Sequence, residues 1–290
     1  SVTGRHEFDH LTAEELRHHT KVMTIDFTVY AALVLLSAYF IDKEPASVVP
    51  VDKSLSALFW SVVNMALVTY TWILLLTFGR DTKIDTNYPT KELGGHFVFL
   101  THMCFCAMTM YTTFVGVSHV LAYCGIEAPV FSKVQHFTYK VATFVGSANW
   151  MVTLLFLKVC WFEPKWQSMA VQNDKRTPGM RFLQFWTHLV PAVSTVVDLY
   201  FLKQAPEISS HGAGFYSIIK TSIAFSIFFL SYMEVCYKFN GGFYPYPFVY
   251  DINTLAKKAI FLAAVSMLLC IVAGTLIGIV HLKEMYYLAV

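Results

Sequence analysis

Seven apolar stretches, each close to the length needed to cross a ~30 Å hydrocarbon core, constrain this chain more than any other feature. They run near Val22–Ile41, Leu55–Phe78, His96–Tyr123, Phe137–Val159, Phe182–Leu202, Phe215–Tyr237 and Leu255–His281. Inside a bilayer the backbone must satisfy its own N–H and C=O groups, which leaves helices as the expected form for single apolar runs. Between the runs lie breakers: Pro45, Pro50, Pro89, Pro129, Pro164, Pro178, Pro206, and Gly241-Gly242 ahead of Pro245 and Pro247. The sequence therefore predicts an all-α, polytopic transmembrane helix bundle of about seven spans. A composition of 56% hydrophobic against 14% charged residues agrees, being too apolar for a soluble domain of 290 residues.

Several classes drop out early. A formal charge of +2, with no basic cluster interleaved with aromatics, argues against nucleic-acid binding. The six cysteines are scattered, mostly within apolar runs, without zinc-site spacing, and read as small buried apolar side chains. His102, His119 and His136 do not repeat a paired haem-ligand spacing. No metal or cofactor is expected. Residues 1–21 form a polar arm with Glu7, Asp9, Glu14 and Glu15 among basic residues, unlike a secretory signal. Within it, Thr12-Ala13-Glu14-Glu15 fits a capping box that starts a short amphipathic helix on the membrane surface. Loop Lys and Arg residues fall mainly on the side of the N-terminus, which places that end on the cytoplasmic or matrix side. The first span, carrying Asp26, is the weakest.

Two polar side chains stand out because they enter their helices from the same positive side. Thr101 closes Gly94-Gly95-His96-Phe97-Val98-Phe99-Leu100-Thr101, and His188 closes Phe182-Leu183-Gln184-Phe185-Trp186-Thr187-His188. Each sits at a depth of ~10 Å at ~1.5 Å per residue, a level suited to a lipid ester carbonyl. A neutral imidazole can take the proton of a threonine hydroxyl as it attacks. The bland alternatives are a threonine bonded back to a carbonyl one turn earlier and a histidine linking helices. Gln184, one turn from His188, is placed to orient the ring. Pro191 frees the Thr187 carbonyl and predicts a kink. Asp198 lies ~15 Å further along the helix than His188, too far to complete a triad. Phe97, Phe105 and Met108 share helical spacing with Thr101 as an apolar wall for an acyl chain. Arg176 and Arg181 are candidates to hold a fatty carboxylate, snorkelling being the rival reading. Asp26, Asn64, Asn149, Asp198 and Glu234 are costly in lipid and are expected to face the bundle interior.

These residues resemble a known family, the androgen-induced and androgen-dependent TFPI-regulating membrane proteins. GGHFVFLT is similar to the family's nucleophile motif, and FLQFWTH keeps the second histidine of its histidine motif, with Asp198 at the acidic position. Phe144-Val145 with Trp150 and Pro164, and Tyr246-Pro247-Phe248, resemble two further family elements. His96, Gln184 and Phe185 depart from the pattern, and a histidine pair before Tyr246 is missing. The resemblance implies a family-like hydrolase core over residues 87–290, preceded by two additional spans in 22–86. It implies a threonine hydrolase of fatty acid esters of hydroxy fatty acids, with Thr101 as nucleophile, His188 as base, and water arriving from the positive side. Endoplasmic reticulum or plasma membrane would be its home. The alternative is a catalytically inactive, lipid-binding subunit of a larger membrane complex, for which the mitochondrial inner membrane is a further location. Membrane lipids are the expected partners in either case.

Overall fold

The computed structural model describes residues 13–45, 51–81, 100–126, 128–162, 164, 167, 179–210, 215–239 and 247–289. Among them all regular structure is helical. The long helices are α1 (Ala13–Lys43), α2 (Leu55–Asp81), α3 (Leu100–Tyr123), α4 (Pro129–Phe156) and α5 (Met180–Val197). A short α6 (Ala205–Ser210) follows, then α7 (Phe215–Phe239) and α8 (Leu255–Ala289). Two π-helical turns, Leu157–Trp161 and Asp198–Leu202, extend α4 and α5.

Seven long helices thus stand where seven apolar stretches were read. Five of them carry windows apolar enough to cross a membrane: Leu55–Leu74, Leu100–Tyr123, Arg181–Leu202, Tyr216–Phe239 and Leu255–Tyr286. α4 is richer in polar side chains. α4 has a different way of hiding its polarity, because Gln135, Thr138, Thr143, Ser147, Asn149 and Thr153 are all buried against other helices. It starts earlier than expected, since Pro129 occupies the first helical turn, where a missing N–H costs nothing. Gly125, at φ 75°, supplies the left-handed residue that ends α3 just before it.

The described part of the arm, from Ala13, and the first span form one helix. Ala13 onward continues without interruption to Lys43, because no breaker lies between them; residues 1–12, Thr12 included, are outside the described set. α1 is peripheral, laying Val29, Tyr30, Leu33 and Val34 against Cys106 and Met110 of α3. Its C-terminal end is pinned to α4 through Glu44, which contacts His136 and bonds Lys140 at 2.8 Å. α2, by contrast, is built into the interior. Trp72 stacks on Phe105 at 5.6 Å, Trp186 Nε1 donates to Thr71 Oγ1 at 3.0 Å, and Trp60 stacks on Phe201 at 4.0 Å.

The register between helices positions the site. Thr101 reaches His188 and Tyr111 reaches Asp198, so α3 and α5 run parallel with one offset of 87 residues held over ten. α4 runs antiparallel to α5. Thr153 donates to the His188 carbonyl, a methyl on Gly146 would sit 2.5 Å from Thr195 Cγ2, and Lys203 Nζ donates to Thr138 Oγ1 at 3.0 Å. Each step down one helix in that series matches an equal step along the other. The main core lies where α4 meets its neighbours, around Met108, Tyr139, Ala142, Val145, Leu199 and Leu276.

Candidate functional site

α3 begins at Leu100, and its second residue carries the hydroxyl of interest. Thr101 Oγ1 lies 3.3 Å from His188 Nε2. The other ring nitrogen, Nδ1, lies 2.6 Å from the backbone carbonyl of Gln184, one turn earlier on α5. A carbonyl only accepts, so Nδ1 carries the proton and Nε2 presents its lone pair to Thr101. That is the tautomer a general base needs. Gln184 is therefore the orienting residue through its main chain, whereas the sequence had suggested its side chain. The reason is helical geometry: a histidine turned back toward the previous turn meets the i−4 carbonyl first.

The ring is held on its faces too. Phe156 stacks on His188 at 3.8 Å between centroids, with the planes 10° apart. Phe156 is the last residue of α4 before the π-helical turn, and such turns often sit at functional sites. Thr153, one turn before Phe156, takes the His188 carbonyl. Pro191 lies within α5, so the Thr187 carbonyl has no amide donor at that position. Trp161, at the end of the π-helical turn, packs on Phe185 at 4.7 Å and carries the Arg181 guanidinium 5.1 Å from its ring centroid. A cation is thereby held on the side from which Thr101 and His188 enter their helices.

The remaining expected site residues divide. Phe97 and Arg176, with the two glycines of the motif, lie outside the described residues. Phe105 and Met108 are each 1% exposed and packed in separate core clusters, Phe105 with Val68 and Val190 and Met108 with Tyr111 and Val115. Both are filled in by protein, and an acyl chain would reach them only by displacing those neighbours. Asp198 does not touch His188; it accepts from the Tyr111 hydroxyl, as its depth along the helix requires.

At the opposite end of the bundle is a polar group that the sequence reading left unassembled. Lys203 is fully buried, its ammonium 4.2 Å from the Tyr139 ring centroid and 5.7 Å from that of Tyr111. Burial pushes this ammonium down to about 8, against the opposing pull of the Asp198 charge. Beside it opens a cavity of about 180 Å³ walled by Asp52, Gln135, Tyr139, Lys203, Glu207 and Lys283, among others. The signal was visible as a lysine five residues beyond a buried aspartate, but only folding brings Gln135 and Asp52 to it.

Comparison with known proteins adds one positive finding. A family model described as FAR-17a/AIG1-like protein matches residues 62–279, about three quarters of the chain. The match begins within α2, ahead of the first sequence motif, and includes both Thr101 and His188. No curated protein and no solved structure matches the chain. The chain belongs to the FAR-17a/AIG1-like family of membrane proteins.

Proposed function

We propose that this protein is an integral-membrane hydrolase of lipid esters that uses Thr101 as nucleophile and His188 as general base. The observation that carries the reading is the 3.3 Å approach of Thr101 Oγ1 to an Nε2 whose lone pair is freed by the Nδ1–Gln184 carbonyl bond. As the hydroxyl attacks an ester carbonyl, its proton passes to Nε2 and a bond forms between Thr101 Oγ1 and the acyl carbon. Collapse expels the alcohol oxygen, which takes the proton back from His188, leaving an acyl-threonine. Water then attacks the acyl carbon, giving one proton to His188 and releasing the acid as Thr101 is reprotonated. Arg181, held against Trp161, is placed to attract a free carboxylate on the substrate. Fatty acid esters of hydroxy fatty acids have such a carboxylate beside an internal ester, and family membership supports that class.

Fluorophosphonate labelling of the protein in lipid nanodiscs tests this. Wild type is expected to form one covalent adduct at Thr101, and Thr101→Ala none. Wild-type protein that takes no label at Thr101, while migrating with a large complex in mild detergent, would instead support a lipid-binding accessory subunit.

A further inference from the structure

Midway through the bundle, on the far side of Pro191 from His188, polar atoms gather without partners. Among the described residues, buried side-chain atoms lacking a hydrogen bond are Asn64 Oδ1, Thr143 Oγ1, Ser194 Oγ, Asp198 Oδ1, His119 Nε2 and Trp150 Nε1. Four of these belong to one level. Ser194 and Asp198 are one turn apart on the same helical path. Asn64 comes from α2, donating through Nδ2 to the Ser194 carbonyl at 3.2 Å, which leaves its oxygen beside that turn. The antiparallel register that pairs Gly146 with Thr195 and Thr138 with Lys203 sets Thr143 level with Asp198. None of the four residues is more than 2% exposed.

Leaving even one such group unsatisfied costs about 1–3 kcal/mol, so four together, from three helices, call for a common occupant. Its chemistry is limited by charge. Asp198 brings a single negative charge, and the buried Lys203 ammonium already opposes it, so a metal cation would leave the layer with excess positive charge. A neutral molecule that both donates and accepts fits a carboxylate oxygen, an amide oxygen and two hydroxyls. That molecule is water.

We propose that this layer binds a cluster of ordered waters next to the Lys203 cavity. The cavity's about 180 Å³ accommodates several waters at ~30 Å³ each, and Tyr139 and Lys203 belong both to its wall and to the layer's neighbourhood. The π-helical turn Asp198–Leu202 places the aspartate and Lys203 at the two ends of one irregular segment. Toward His188 the α4–α5 seam closes at Gly146 and Thr195, and the hydroxyls of Ser147, Thr195 and Thr153 are bonded to carbonyls, so the layer is a site of its own.

Hydroxyl-radical footprinting in ¹⁸O water, on the full chain in nanodiscs, reads the hydration directly. Tyr111 and Met108, buried beside the layer, are expected to take up label at least fivefold faster than Met233, which is equally buried in α7. The double variant Thr143→Val, Ser194→Ala is expected to remove most of that excess. Equal labelling of Tyr111, Met108 and Met233 would overturn the water cluster. A thermal midpoint that rises with Na⁺ but not with choline would overturn water as the occupant in favour of a cation.

Discussion

His188 shows how one hydrogen bond determines what a side chain can do. Its Nδ1 is tied to a main-chain carbonyl, so the tautomer is a property of the helix and not of the side chain at position 184. Gln184→Ala is accordingly expected to leave the turnover of a long-chain ester within about threefold of wild type, as the accepting carbonyl survives. His188→Asn removes the base itself and is expected to lower the rate of Thr101 acylation by about 10²–10⁴-fold. Burst kinetics with a chromogenic ester measure both. A large loss in Gln184→Ala with an unchanged His188 environment would mean that the side chain amide, after all, holds the ring. Thr109, Thr112 and Thr113 of the same helix donate to carbonyls on the preceding turn, the ordinary fate of a threonine in a membrane helix. Thr101 differs in having a nitrogen base within reach.

Helix register is what brings these groups together, and Gly146 is the point on which the α4–α5 register turns. A methyl there would lie 2.5 Å from Thr195 Cγ2 and 3.3 Å from Leu276 Cδ1. Gly146→Ala is expected to destabilise the fold by about 1–3 kcal/mol, as overpacking does, and to lower the thermal midpoint in detergent. Adding Thr195→Ser deletes the opposing methyl while keeping the hydroxyl that bonds the Pro191 carbonyl, and is expected to restore most of the loss. A double variant no more stable than Gly146→Ala would place the crowding elsewhere. The same contact explains why α4 can be so polar. Most of its hydroxyls and amides bond carbonyls of α4 itself, with Thr153 also bonding the His188 carbonyl, and the packed neighbours cover them, so they are spared exposure to lipid.

Across the bundle, the two polar centres sit at opposite ends of α5, with Thr101 and His188 toward the basic loops and Lys203 with its cavity toward the other side. Cys124 is exposed just past the end of α3, at the latter end. In sealed vesicles with the N-terminal side enclosed, a membrane-impermeant maleimide is expected to label Cys124 from outside, as three crossings require; protection there would mean that α1 does not span the membrane. Sequence alone was sufficient for the helical class and for locating the seven long helices, though not for the starts of α1 and α4, because apolar length and breaker residues act locally along the chain. It also singled out Thr101 and His188, since a polar group in an apolar run is conspicuous wherever the run packs. What it left open depends on neighbours distant in the chain. Whether α1 stands as one helix with its arm, whether Phe105 and Met108 line a channel or fill a core, and which atom of Gln184 meets the imidazole are matters of packing. The unpartnered layer around Asp198 is of the same kind: three helices contribute to it, and no local pattern in any one of them records the other two.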